Sequence, residues 1–96
     1  MEINNIPEMF QSKLRLTVIS ALMKESCSFA ELKRVTGATD GNLSVQITKL
    51  EAAGYIEVKK EIVNKKTLTT CTITQEGRGS FIEYVELLNK IVSENQ

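Results

Sequence analysis

The chain has 96 residues, 42% of them apolar and 25% charged, with twelve basic side chains balancing twelve acidic ones. Those proportions match one ordinary globular domain and exclude disordered, collagen-like and membrane-spanning chains. There is no histidine, and the two cysteines lie 44 positions apart. The commonest general base is therefore missing, and so is any zinc site of the four-cysteine or two-cysteine, two-histidine kind.

Residues 1–6 read as a short arm. Met1–Pro7 has neither a basic n-region nor an apolar h-region, so no secretory signal is expected and the cytoplasm is the expected location. Pro7 followed by Glu8 reads as a helix start, because proline tolerates the first turn and an acid there suits the dipole. Phe10, Leu14, Val18, Ala21 and Leu22 recur at three- and four-residue steps, which predicts one helix as far as about Lys24. Ser26-Cys27-Ser28 breaks it and forms at most a very short strand.

Ser28 and Glu31 have the spacing of a capping box, and Phe29, Leu32 and Val35 give a second helix its buried stripe. Thr36-Gly37 ends that helix, glycine being the residue that accepts a left-handed conformation. Two residues later, Thr39 or Asp40 starts a third. Leu43, Ile47 and Leu50 share one side of it, and Gly54 stops it. Two helices joined by so tight a turn make a helix-turn-helix pattern.

Beyond Gly54 the period changes to two. Ile56, Val58 and Ile62 share one face of a strand, and Leu68–Thr74 is rich in β-branched residues. The two runs predict a hairpin with Asn64-Lys65-Lys66 at its tip. Thr74 caps a last helix with a long apolar face. The predicted order is α-β-α-α-β-β-α: a single domain over 1–96, mainly α with a small antiparallel β-hairpin (α+β).

That order resembles the winged helix-turn-helix DNA-binding domain. Leu50-Glu51-Ala52-Ala53-Gly54-Tyr55-Ile56-Glu57-Val58 is similar to the helix-to-wing junction of bacterial and archaeal winged-helix repressors. Thr39-Asp40-Gly41-Asn42-Leu43-Ser44 resembles the start of the recognition helix in stand-alone regulators near the multiple-antibiotic-resistance (MarR) and arsenic-repressor (ArsR) families. Arg15-Leu16 and Ile73-Thr74-Gln75-Glu76-Gly77-Arg78 also fit, so the likeness spans about residues 8–90. The chain departs from both families as well. It lacks the cysteine pairs or cysteine–histidine sets of metal sensors, and it is shorter than regulators with an enclosed ligand pocket. No metal or cofactor is therefore expected, and the effector is left open: a partner, a small ligand at the dimer seam, or protein concentration alone.

The resemblance implies double-stranded DNA as partner, and the residues can be read against it. The outer side of the third helix carries Gly41, Asn42, Val45, Thr48 and Lys49, with Ser44 and Gln46 on its flanks and no acid. Amides can bond adenine edges, lysine can reach guanine or phosphate, and a valine methyl can meet a thymine methyl. The bland reading is a merely soluble helix face. Asn64, Lys65, Lys66 and Thr67 would form a wing on phosphate or in the minor groove, against the bland reading of soluble turn residues. Thr39 belongs to the same set. Arg34 is a further phosphate candidate; Arg15 could contact phosphate or pair with a local carboxylate. Of Lys59 and Lys60, which point to opposite faces, at most one should help.

Charge is distributed to match. Lys33–Leu68 holds seven basic residues against four acidic, and the rest of the chain holds five against eight. Met9, Phe10, Phe81, Ile82, Tyr84, Val85, Leu87, Leu88, Ile91 and Val92 offer more apolar surface than a small monomer covers, so a homodimer through a helix over about 75–93 is expected. In a winged helix the short strand pairs with the second hairpin strand, which would make Cys27 and Cys71 neighbours and, given suitable geometry, a redox pair. The function expected is a sequence-specific double-stranded DNA-binding transcriptional regulator, a homodimeric repressor reading a pseudo-palindromic operator with helix 39–53 and wing 63–68. The rival is a winged-helix protein-interaction module without specific DNA binding. An enzyme is rejected, since no constellation of catalytic groups is present.

Overall fold

A computed structural model describes residues 7–95. The expected arm over 1–6 lies outside the described residues. In chain order come a 3-10 turn Glu8–Phe10, α1 Lys13–Leu22, β1 Cys27–Ser28, α2 Phe29–Thr36, α3 Asp40–Ala52, β2 Ile56–Val63, β3 Lys66–Ile73 and α4 Gln75–Glu94. The architecture is a winged helix, mainly α with one small antiparallel sheet of order β1-β3-β2. Among the described residues no helix is long and apolar enough to cross a membrane.

Local chemistry sets the boundaries. The Ser28 hydroxyl accepts from Glu31 N–H while Ser28 N–H donates to the Glu31 carboxylate, completing the capping box that opens α2. Gly37 ends α2 at φ 70°, and Thr39 caps α3 by accepting from Asn42 N–H. The Lys33–Asp40 ion pair, 2.7 Å, spans the turn between them. At the other end, Thr74 Oγ1 accepts from Gly77 N–H and donates to the Gly54 carbonyl, tying the start of α4 to the end of α3. Gly77 is required there: a Cβ would run into the Tyr55 carbonyl, which itself accepts from Thr74 N–H.

Two expectations need correction. The first helix does not run from Pro7. The proline starts only the 3-10 turn, and α1 begins after Ser12, whose hydroxyl accepts from Arg15 N–H. Val35 is not on a buried stripe but 56% exposed, because Leu32, with Phe29 partly packed beside it, occupies the core side of α2. Ile62 shares the inner face with Ile56 and Val58, yet it is 81% exposed. At ~3.4 Å per residue it lies about 20 Å along the strand from buried Ile56, beyond the protein body.

The core is one cluster. Val18, Ile19 and Leu22 of α1 meet Leu32, then Leu43, Ile47 and Leu50 of α3, with Ile56 and Cys71 below them. Each buried aliphatic contributes roughly 2 kcal/mol. The three α3 side chains thus anchor one side of that helix and fix which side is left outside. Cys27 and Cys71 stand directly opposite each other on β1 and β3, as the winged-helix resemblance implies. Both are buried free thiols.

Candidate nucleic-acid interface

With Leu43, Ile47 and Leu50 inward, α3 presents Gly41, Asn42, Ser44, Val45, Thr48 and Lys49 to solvent. Val45 is 51% exposed, and Gln46 is half-buried on the flank. Thr39 and Gly41 are exposed at the start of the helix, with open space where a Gly41 side chain would be. From Gly41 to Leu50 this ridge carries no acid.

Troughs run along both sides of the ridge. On one side a cleft of about 240 Å³ separates α3 from the sheet, with Ser44 and Thr48 on one wall and Val58, Lys60 and Thr69 on the other. Glu51 also lines it, towards the end of the helix. On the other side a groove of about 280 Å³ brings Asn42 together with Thr36, Ala38, Leu14 and Lys13. A lysine therefore stands on each flank. Lys13 was not legible as a candidate, since it lies outside the basic middle of the chain and only the packing of α1 brings it to the helix-turn-helix turn.

The wing divides its residues between two faces. Asn64 and Lys65 form a two-residue turn with φ 51° and 64°, the primed geometry whose twist suits a hairpin. Thr67 pairs with Ile62 and Thr69 with Lys60, so these four share the face turned towards α3. Lys66 pairs with Val63 on the reverse face. Lys59 is on that reverse face too, 3.8 Å from Glu61, so of the two adjacent lysines only Lys60 looks towards α3.

The two arginines differ in their surroundings. Arg34 is exposed but lines a groove with Thr17, Lys24 and Cys27 between α1 and α2, away from the α3 ridge. Arg15 is only 8% exposed and, among the described residues, pairs with no carboxylate. Its Nε donates to the Met9 carbonyl (3.1 Å), Nη2 to the Glu8 carbonyl (3.3 Å) and Nη1 to Gln46 Oε1 (2.6 Å). The Glu8 carbonyl already accepts from Gln11 N–H at 3.0 Å, and the guanidinium, with five N–H groups, adds a second donor there and one to Met9.

The expected interface residues also separate. Phe10 is corrected: it is 3% exposed, with ring centroids 5.6 Å from Tyr55, 6.0 Å from Phe81 and 5.1 Å from Tyr84, and it belongs to the core of its own chain. Met9, Phe81 and Tyr84 pack partly against that core, and Leu87 and Ile91 are half-buried. Ile82, Val85, Leu88 and Val92 remain exposed along one side of α4.

Burial pushes the Cys71 thiol up to about 11, with Cys27 and Glu51 adding to it. The Cys27 thiol is raised as well, by burial first and then by Glu31 and Glu25.

Residues 14–92 match a family model described as the winged helix DNA-binding domain. An uncharacterized protein of Methanocaldococcus jannaschii is 35% identical over 79 residues, covering 81% of this chain and 86% of that protein. The fold is similar to a transcriptional regulator homologue from Pyrococcus horikoshii OT3, with TM-score 0.85, 22% identity, and 92% and 88% of the two chains covered. It is also similar to a MarR-family regulator from Enterococcus faecalis V583, with TM-score 0.82, 20% identity, and 98% and 86% covered. Helix-turn-helix, hairpin and motif order agree with these matches, and the chain belongs to the winged helix DNA-binding domain family.

Proposed function

We propose that this chain is a sequence-specific regulator of transcription, a homodimeric repressor that reads a pseudo-palindromic duplex. The observation that carries the reading is the acid-free ridge of α3, anchored by three buried side chains and flanked on both sides by lysine-bearing troughs. A helix held this way suits the major groove. Asn42, Val45, Gln46 and Lys49 face base edges, with Thr39, Gly41, Ser44 and Thr48 along the groove walls. Asn64, Lys65, Lys66 and Thr67 meet the flanking backbone or minor groove, and Lys13 and Lys60 add phosphate contacts. The exposed stripe Ile82, Val85, Leu88 and Val92 supports pairing through α4, with two recognition helices ~34 Å apart.

The test is a salt titration of affinity for a duplex selected from random DNA. Replacing Lys49, Lys60 and Lys65 with glutamine should weaken binding, and the loss of Lys60 and Lys65 from phosphate should reduce the salt slope by roughly one unit each. Lys59→Gln, on the reverse face, should leave both unchanged. Full affinity in the triple variant would remove the reading and favour a protein-interaction module.

A further inference from the structure

Arg15 lies in α1 and Gln46 in α3, 31 residues apart, yet a 2.6 Å hydrogen bond joins their side chains. An arginine has only donors, so the Gln46 atom facing it has to be the carbonyl Oε1. That leaves Nε2 at the other end of the amide, and it donates to Asn42 Oδ1 at 3.3 Å. The second amide is thereby oriented as well. Its oxygen is turned along the helix towards Gln46, and its Nδ2 has no partner among the described residues. The chain of donors starts from a fixed point, because the guanidinium is itself held by the Met9 and Glu8 carbonyls and is nearly excluded from water.

We infer that Arg15 is a positioning residue for base recognition: through Gln46 it sets the hydrogen-bonding polarity of Asn42, so that the two amides offer N–H groups and not carbonyls to the DNA. The inference rests on the proposed groove-reading role of α3 and sharpens it. An amide free to present both ends would bond adenine through N6 and N7. Gln46 has its oxygen turned inward and cannot do so, and Asn42 has its oxygen turned along the helix. Donors alone suit edges that carry acceptors, namely guanine O6 and N7 or thymine O4. Arg15 thus specifies a base without touching DNA.

Gln46→Glu tests the relay directly. The new carboxylate keeps its bond to Arg15, but its second oxygen can only accept, so Asn42 has to turn and donate Nδ2 to it. Asn42 then shows Oδ1 outward and should select a donor-bearing edge, cytosine N4 or adenine N6. Duplexes selected from random DNA with the wild type should carry guanine or thymine at one position per half-site. With Gln46→Glu the preference there should move towards cytosine or adenine by about tenfold or more, the size of one good base contact. Arg15→Met should flatten the preference at that position while affinity for unrelated DNA stays within about twofold, provided circular dichroism shows a folded protein. If Arg15→Met does not fold, the glutamate variant still decides. Enrichment of specific sites with an unchanged preference in Gln46→Glu would overturn the relay and leave the DNA reading standing. No enrichment by the wild type would overturn both.

Discussion

At the scale of single residues, the buried cysteines make a measurable statement about pH. Cys71 has its thiol pushed from an ordinary 9.0 to about 11, chiefly by burial, so the fold favours the protonated form. The contribution is complete below the unfolded value. It is lost as the pH rises from about 9 through about 11, where the unfolded thiol ionises and the folded one does not. Urea unfolding should therefore show stability falling across that window, at most by about 2–3 kcal/mol from this group. The fall should be shallower in Cys71→Val, which removes the ionisable group while the other alkaline titrations remain. The same protonation makes both thiols poor nucleophiles near neutrality. The Cys27–Cys71 juxtaposition by itself thus describes two free, buried thiols paired across β1 and β3.

At the scale of elements, the wing sets stability against charge. Lys65 sits at φ 64° in a turn position that favours glycine, and holding a lysine there costs about 1 kcal/mol. Lys65→Gly should slow amide hydrogen exchange in β2 and β3 while weakening DNA binding, whereas a lysine kept only for the turn would give no loss of affinity. The elements themselves were largely legible, because their end signals are local: Ser28 with Glu31, Thr39, Thr74, and the left-handed Gly37 and Gly54. Pro7 misled because its cue is equally good for a single 3-10 turn, and only Ser12 shows where the longer helix gains its cap. The side of α3 that faces out was legible from the spacing of Leu43, Ile47 and Leu50. The Arg15–Gln46 link and the approach of Lys13 to Asn42 were not, since both depend on how α1 crosses α3, which no local spacing encodes. For the same reason the exposure of Val35 and Ile62 followed from missing neighbours and not from their own character.

At the scale of the whole molecule, the shape is elongated, 55 × 25 × 21 Å, and among the described residues four exposed large apolar side chains lie on α4 and three on the wing. Ile82, Val85, Leu88 and Val92 recur at helical spacing, and a second copy meeting them two-fold would bury them without disturbing the core. Val85→Glu combined with Leu88→Glu should give a monomer in analytical ultracentrifugation with unchanged circular dichroism. Affinity for a two-half-site duplex should then fall by at least tenfold, while binding to one half-site stays near its original strength. A variant still dimeric would place the contact elsewhere. The sheet order β1-β3-β2 leaves β2 as an edge, and the two-residue β1 covers only a short part of β3, so unpaired main chain runs out along the wing beside bare Ile62, Val63 and Leu68. Such an edge invites another chain to add a strand, and the charges at Glu57, Lys59, Lys60 and Glu61 are what discourage it. Stripping wing lysines to alanine therefore risks insoluble protein for reasons unrelated to nucleic acid, and glutamine is the safer neutral replacement whenever solubility has to be kept constant.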